Sequence, residues 1–229
     1  MPFLFAPPAQ PVIPVQDERY EFFPVRRVFC VAGSYAKAGT PGAKPQLHIF
    51  MKPADAVVPI GPNDVFDMAV EEDEEPLMPE VELVACLSKG GRAMSLEEAA
   101  EAVWGWCVGI DFTKPELRGR LAAAGSSWER AKAFEGSAPV SYVRPDYRSP
   151  MPAPADLYLY VGNERRQHGS TGEMTWSAAE IIAEISKTWT LRPGDVVFTG
   201  TPAGARPVKR GDLILAGVNG VGSLRVQIH

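Results

Sequence analysis

Two glutamates in an apolar strand have the types and spacing best suited to chemistry in this sequence. In EVELVACLSKGG (80–91), Glu80 and Glu82 are two residues apart, so both side chains project from the same strand face. Unpaired carboxylates are costly in apolar surroundings, and two this close favour protonation of one of them unless a cation lies between them. Asp111 adds a third acid within another apolar segment, CVGIDFT (107–113).

These three acids have two interpretations. Three carboxylates form an oxygen-ligand set suited to Mg²⁺ or Mn²⁺, with positions left for water and a substrate. Alternatively, Glu80 and Glu82 lie exposed on an edge strand and pair with lysines such as Lys89. Because the E-x-E spacing is common, spacing alone favours neither interpretation.

Two further segments contain residues that can bind an anion. Lys132, in WERAKAFEGSAP, can neutralise a bound carboxylate or a developing enolate, although an ordinary surface lysine fits its composition equally well. In FTGTPAG (198–204), glycines flank Thr201, so backbone amides and a hydroxyl can approach a ligand closely. A simple turn after a strand is the alternative there. The G-K-[ST] ending of a nucleotide-binding loop is missing.

Several other kinds of catalytic site are poorly supported. The chain has three histidines, one of them C-terminal, and no G-x-S-x-G segment, which disfavours a serine hydrolase and a histidine-rich zinc site. The cysteines are widely spaced in apolar runs, so we expect buried free thiols at Cys30, Cys86 and Cys107.

Composition limits the class of protein. The 229 residues are 45% hydrophobic and 22% charged, enough for one large domain with a substantial core. A net charge of −5 argues against a nucleic-acid partner. No apolar run approaches the roughly 20 residues that span a bilayer, and the N-terminus lacks the basic region of a signal peptide. We therefore predict a cytoplasmic protein without a membrane partner.

The elements that position these residues follow from local patterns. Residues 1–24 are predicted to form a Pro-rich arm laid on the surface, followed by a single domain over 25–229. Capping boxes predict helices over 95–106 and from 177 onwards, and turn residues predict hairpins around 162–163 and 219–220. Two helices and about eight short strands indicate a β-rich mixed fold with a curled sheet or barrel-like core.

Several of these segments, taken together, resemble the fumarylacetoacetate hydrolase family. The resemblance is colinear over about residues 23–229 and rests on FPVRRVFCVAGSYA, FMKPADAVV, EVELVACLSKGGR, VGIDFT, KAFEGSAP, TWSAAEIIAEISKTWTLRPGDVVFTGTPAG and the GD–G-x-G tail. Within that family, the sequence most resembles the short fumarylpyruvate and acylpyruvate hydrolases. It implies an α+β, β-rich fold, a mixed β-sandwich or β-roll with a few peripheral helices, and a homodimer. The implied reaction is hydrolysis of C–C bonds in acylpyruvate-type 2-oxo acids during aromatic-compound catabolism.

The resemblance also implies a set of site residues. The metal ion, Mg²⁺ or Mn²⁺ with Ca²⁺ as a further option, is expected on Glu80, Glu82 and Asp111. Lys132 and Thr201 correspond to catalytic residues that face the substrate carboxylate. The expected substrate-binding residues are Tyr35, Lys132, Gly200 and Thr201.

One departure from the family bears on the reaction. The family's first loop usually carries a His–Glu dyad that activates water, and Ala38 and Pro41 stand at those positions here. If the alignment is offset, His48 is the nearby histidine. Since hydrolysis depends most on such a base, two other possibilities stay open: a metal-dependent decarboxylase or tautomerase of 2-oxo acids, and a metal- and ligand-binding homologue without catalysis.

Overall fold

Strands dominate the structure, a computed structural model that describes residues 3–6, 8–18, 21–35, 44–70, 75–146 and 154–229. In chain order the strands of these residues are β1 (Val12–Pro14), β2 (Phe22–Pro24), β3 (Arg27–Ala32), β4 (His48–Lys52), β5 (Val57–Ile60), β6 (Phe66–Met68), β7 (Val81–Leu87), β8 (Val103–Ile110), β9 (Ala138–Ser141), β10 (Arg144–Pro145), β11 (Asp156–Val161), β12 (Glu164–Ser170), β13 (Asp195–Phe198), β14 (Leu213–Val218) and β15 (Gly222–Ile228). The α-helices are α1 (Leu96–Glu101), α2 (Pro115–Ala123), α3 (Glu129–Lys132) and α4 (Ala178–Thr188).

These strands form two large mixed sheets and one small one. The order β4-β3-β13-β7-β8-β9-β5, with β10 added beside β8, makes an eight-stranded sheet. The order β12-β11-β14-β15-β6 makes a five-stranded sheet, and β1 pairs with β2. The segment that carries the two glutamates is therefore a central strand, β7, bonded on one side to β13 and on the other to β8.

The two faces of β7 pack into different parts of the core. Val81, Leu83, Ala85 and Leu87 belong to a large apolar cluster that also takes side chains from the five-stranded sheet and α4. Val84 and Cys86 belong to a second cluster on the opposite face, together with buried residues of β3 and the N-terminal segment. The period-two alternation predicted for this strand is confirmed, and Glu82 lies on the face of the second cluster.

The local signals of the sequence are largely confirmed. Ser95 and Ser177 each cap a helix through a reciprocal capping box. Both predicted hairpins are present, β11–β12 and β14–β15. The three cysteines are buried and free, and none of the helices in the described part of the chain is long and apolar enough to span a bilayer.

The predicted helix over 95–106 is too long. The helix ends at Glu101, and residues 103–110 form one strand rather than a helix end followed by a shorter strand. The reason is tertiary: Val103 pairs with Leu87 and Trp106 with Ala85 on β7. Such β-branched and aromatic residues favour a buried pleated strand over a helix.

The element count and the position of the N-terminal arm also differ from expectation. The described residues contain four α-helices and fifteen strands, more than the two helices and about eight strands predicted. The N-terminal segment is extended, but it is not simply laid on the surface, because Ile13 and Val15 are buried and β1 forms a small sheet with β2. The proposed division of the chain at residue 24 stays a prediction.

Candidate active site

The register between β7 and β8 brings Glu80 and Asp111 together. The two strands are antiparallel, with Val81 opposite Ile110 and Glu82 opposite Gly109. One step further along, the Asp111 amide donates a hydrogen bond to the Glu80 carbonyl at 2.9 Å. Asp111 and Glu80 are therefore neighbours across the strand pair, although they are far apart in sequence.

The lysine predicted at this site lies between two of the acids. The Lys132 ammonium, on α3, donates to Glu80 Oε2 at 2.5 Å and to Asp111 Oδ2 at 2.6 Å. Lys132 is only 4% exposed, so the surface-lysine interpretation is wrong. The Thr113 hydroxyl donates a further hydrogen bond to Glu80 Oε2 at 2.6 Å.

A second buried lysine supports Asp111 from the other side. Lys52, at the end of β4, places its ammonium 2.9 Å from Asp111 Oδ1 and is 2% exposed. It also donates to the main-chain carbonyls of Phe112 and Lys132. Asp111 is thus held between two cations, while Lys52 fixes the backbone that carries Lys132.

Glu82 has a different environment. It is 1% exposed, and the Gly200 amide donates to its Oε2 at 2.6 Å. Gly200 has a φ of +92°, and a Cβ there would lie 1.9 Å from Ser34 Oγ. Only glycine can therefore place its amide against the carboxylate at this point without strain or overlap.

The charges of the site perturb one another. Burial, followed by the nearby Asp111 and Glu80 carboxylates, raises the pKa of Glu82 well above its ordinary value. Burial alone would raise the pKa of Asp111, but the Lys132 and Lys52 ammoniums hold it below the ordinary value. Burial alone would lower the pKa of Lys132, and the two carboxylates it contacts raise it instead. Ionisation of Glu82 is costly because the carboxylate is buried beside two others, and a multivalent cation bound between them would offset that cost.

The predicted substrate-binding residues lie around the same acids. The Thr201 hydroxyl donates to the Val81 carbonyl at 2.7 Å and accepts from Gln167 Nε2 at 2.9 Å, which ties it to the strand of the glutamates. Burial and then the Glu82 charge raise the pKa of the Tyr35 phenol. Within the described residues, the buried hydroxyls of Ser34 and Tyr35 have no hydrogen-bond partner, as expected of groups that await a ligand.

The donor set suits a hard divalent cation, although it is not gathered as a finished cluster. Among the described residues, no group of three or more His, Cys, Asp and Glu side chains is close enough to hold a metal ion. Instead, the Lys132 ammonium holds Glu80 and Asp111, and Glu82 faces the Gly200 amide. Carboxylate oxygens are the ligands that Mg²⁺ and Mn²⁺ prefer, so these residues fit such an ion. The ligand set stays a prediction.

The alternative of an exposed edge-strand pair is wrong. Strand β7 is central, Glu82 is buried, and Lys89 pairs with Glu101 at 3.2 Å rather than with either glutamate.

Ala38 and Pro41, the positions of the family's water-activating dyad, lie outside the described residues.

Sequence reasoning missed three residues that organise the site. They are Lys52, Thr113 and Gln167, and all three are buried. Lys52 was signalled by its position inside FMKPADAVV, one of the family-like segments, and Thr113 by its position two residues after Asp111. Gln167 is placed by hairpin packing, because its amide bonds the Val81 nitrogen and Thr201, and nothing local in the sequence indicates this.

Comparisons with known proteins identify the family of this chain. Residues 27–229 match the family model described as fumarylacetoacetate (FAA) hydrolase C-terminal. The chain is 38% identical to fumarylpyruvate hydrolase from Pseudomonas aeruginosa, crystallised with Mn²⁺ and pyruvate, with a TM-score of 0.94 over 99% of both chains. It is 34% identical over 207 residues to the mitochondrial oxaloacetate tautomerase of Bos taurus, covering 89% of this chain and 92% of that one. It is 35% identical over 194 residues to an oxaloacetate tautomerase of Escherichia coli, covering 83% and 87%. The chain belongs to the fumarylacetoacetate hydrolase family.

Proposed function

We propose that this protein is a divalent-metal-dependent enzyme that hydrolyses a C–C bond in an acylpyruvate-type 2-oxo acid. In that reaction water adds to the acyl carbonyl carbon, and the bond between that carbon and the pyruvate methylene breaks. The bonding electrons pass to the pyruvate part as an enolate, which a proton converts to pyruvate. The other product is the carboxylic acid of the acyl group.

The observation that carries this proposal is the group of carboxylates and lysines at the end of the paired strands β7 and β8 where Glu80 and Asp111 meet. Glu80, Glu82 and Asp111 are the residues that would hold Mg²⁺ or Mn²⁺. The ion would supply Lewis-acid polarisation of the substrate's keto oxygen. Ca²⁺, which accepts similar oxygen ligands, is the weaker choice because it prefers more of them.

The chain's own residues account for binding and charge stabilisation. Lys132 is buried and positively charged beside the acids, so it can meet the substrate carboxylate or the negative charge that develops on bond cleavage. Lys52 fixes the main chain that carries Lys132. Three further groups lie near these acids and can orient the ligand: the hydroxyls of Tyr35 and Thr201 and the turn at Gly200.

The comparison with fumarylpyruvate hydrolase supports this choice of reaction. It spans 99% of both chains and so includes the N-terminal segment, whereas the two tautomerases described above align with 83–89% of this chain. Pyruvate, present in that structure, is the product that this cleavage releases. The small 2-oxo acid partner, the cytoplasmic location and the homodimer remain part of the proposal.

A second candidate is a tautomerase of a small 2-oxo acid such as oxaloacetate. Two observations favour it: the relatives named as oxaloacetate tautomerases, and Ala38 and Pro41 in place of the family's water-activating dyad. Moving a proton between carbon and oxygen of a bound 2-oxo acid uses the same charge stabilisation without an attacking water. Decarboxylation of the same acids, and a homologue that binds without turnover, are the remaining alternatives.

Metal binding is tested first, by isothermal titration of the apo-protein with Mn²⁺ and with Mg²⁺. We expect binding by wild type and its loss in Glu82→Ala. The matched control is Glu101→Ala, whose exposed carboxylate pairs with Lys89. Absence of binding by wild type, or unchanged binding in Glu82→Ala, would contradict the proposed metal site.

Turnover assays then separate the reactions. Hydrolysis of fumarylpyruvate and acetylpyruvate is followed by release of pyruvate, and oxaloacetate is followed for enol–keto conversion and for CO₂. Pyruvate from the acylpyruvates supports the leading proposal, whereas activity on oxaloacetate alone supports the second. If none of the three acids is turned over but oxalate still binds, the protein is a homologue that binds ligand without catalysis.

A further inference from the structure

Ser34 is a buried serine to which the proposed function gives no role. It lies two residues after the end of β3, its exposed fraction is 0%, and its hydroxyl has no hydrogen-bond partner among the residues that the structure describes. Proteins rarely bury a hydroxyl in this way, because the loss of hydration is then not compensated. The Ser34 hydroxyl is therefore expected to find its partner in another state of the protein.

The main chain of Ser34 is firmly held. Its carbonyl accepts hydrogen bonds from the Thr175 amide and the Thr175 hydroxyl, both at 2.8 Å, and from the Trp176 amide at 3.3 Å. The preceding residue, Gly33, has a φ of +93°, and a Cβ there would lie 2.6 Å from the Gln46 carbonyl oxygen. The backbone thus fixes the position of a side chain that itself makes no bond.

The side chain of Ser34 lies against the turn that binds Glu82. A Cβ on Gly200 would lie 1.9 Å from Ser34 Oγ, so the hydroxyl occupies the space that a side chain at Gly200 would take. The amide of the same glycine donates to Glu82 Oε2 at 2.6 Å. The unused hydroxyl is therefore next to the residue that binds the Glu82 carboxylate.

A metal ion bound by all three acids requires them to rearrange. Within the described ranges, no group of three such side chains is placed to hold an ion. The Lys132 ammonium joins Glu80 and Asp111, whereas Glu82 bonds to the Gly200 amide. At least one carboxylate must therefore change position when the ion binds. Carboxylates that bind metal ions are in turn held by hydrogen bonds from neighbouring groups.

We propose that Ser34 is a positioning residue for Glu82, and that its hydroxyl donates a hydrogen bond to the Glu82 carboxylate when that carboxylate binds the metal ion. This inference rests on the metal site of the proposed function. The Gly200 amide and the Ser34 hydroxyl then fix the orientation of the carboxylate together. In the metal-free protein the hydroxyl has no bond, and its burial costs stability that metal binding recovers.

The test measures metal affinity and metal-free stability in the same variants. Ser34→Ala removes the hydroxyl, and Ser186→Ala is the matched control. Ser186 is also 0% exposed, but its hydroxyl accepts from the Met94 amide at 2.8 Å and donates to the Ala183 carbonyl at 2.7 Å. Calorimetric titration with Mn²⁺ gives the dissociation constant, and thermal unfolding without metal gives Tm.

The two variants should differ from wild type in opposite ways. Ser34→Ala should weaken Mn²⁺ binding by about 10- to 100-fold, the usual effect of removing a group that hydrogen-bonds a metal ligand. Its metal-free Tm should not fall, because no hydrogen bond is lost. Ser186→Ala should lower Tm, since it removes two hydrogen bonds, and should bind Mn²⁺ as wild type does. A serine that only supports the fold would follow the second pattern.

Each remaining outcome overturns a stated part of the reasoning. Unchanged Mn²⁺ affinity in Ser34→Ala overturns the positioning role while the metal site stands, and weaker oxalate binding to that Mn²⁺-loaded variant would assign the hydroxyl to the ligand instead. Weaker Mn²⁺ binding together with a lower Tm, or failure to fold, would indicate structural damage and would also overturn the role. If wild type binds no Mn²⁺, the proposed metal site fails and this inference fails with it.

Discussion

Replacing Lys132 by methionine is the most informative perturbation of the site. The methionine keeps most of the side chain's length and apolar contacts but removes the ammonium that bonds Glu80 at 2.5 Å and Asp111 at 2.6 Å. In the metal-free variant these two carboxylates face each other and Glu82 with Lys52 as the remaining buried cation at Asp111. We therefore expect metal-free Lys132→Met to be markedly less stable than wild type.

The size of the effect follows from burial. Removing one partner of a buried ion pair costs about 3–5 kcal/mol, because it leaves an uncompensated charge. Lys52 still compensates Asp111, so the lower end of about 3 kcal/mol applies. For a domain of this size each kcal/mol lowers Tm by about 2–4 °C, which gives a decrease of about 6–12 °C.

Metal should reverse much of this loss. Mn²⁺ bound to the same carboxylates replaces the missing positive charge, so saturating Mn²⁺ should raise Tm by more in Lys132→Met than in wild type. The measurement is thermal and urea unfolding with and without Mn²⁺. Lys89→Met, which removes an exposed pair with Glu101, is the control and should change stability by less than about 0.5 kcal/mol. Equal Mn²⁺ stabilisation of Lys132→Met and wild type would refute the idea that lysine and metal share these carboxylates.

Three other substitutions test single contacts. Lys52→Met should lower the free energy of unfolding in urea by about 3 kcal/mol, since its aspartate partner is buried but keeps Lys132; a loss below about 1 kcal/mol would contradict the pairing. Gly200→Ala should lower Tm clearly more than Gly211→Ala. Both glycines have positive φ, but only a Cβ at Gly200 would meet another side chain, so similar Tm values would argue against that overlap. Gln167→Leu should lower the free energy of unfolding by about 1–3 kcal/mol by leaving the Val81 amide unbonded. It should raise KM more than it lowers kcat, because the Thr201 hydroxyl keeps only its bond to the Val81 carbonyl; an unchanged KM would separate Gln167 from substrate binding.

The parts of the fold that the sequence predicts are those with local causes. The alternation around Glu82 depends on neighbouring residues in one strand, and the capping boxes at Ser95 and Ser177 each span four residues. The end of α1 could not be predicted in this way. Val103 belongs to a strand because it pairs with Leu87, a contact that no local pattern contains.

The same distinction applies to the site. The three acids were candidates on spacing and apolar surroundings alone, and the structure places Glu80 and Asp111 side by side. Lys52 was missed because its role depends on contacts with residues that lie 59 and more positions away, just after β8 and on α3. A lysine in a short strand looks like a surface residue until its buried partners are known.

A double substitution before β4 tests the hydrolysis step separately from metal binding. Glu82 lies on β7, Glu80 directly precedes that strand and Asp111 directly follows β8, while the two lysines lie on β4 and α3. The family's water-activating dyad, in contrast, corresponds to Ala38 and Pro41, earlier in the sequence. Substituting Ala38→His together with Pro41→Glu should therefore raise the rate of fumarylpyruvate hydrolysis by about 10²–10⁴-fold, the usual contribution of a general base, with Mn²⁺ affinity unchanged. The measurement is kcat for pyruvate release beside calorimetric Mn²⁺ titration, with Ala38→Gln/Pro41→Gln as the matched control. A kcat that stays at the wild-type value in the His–Glu variant would show that the missing dyad is not what limits hydrolysis in this chain.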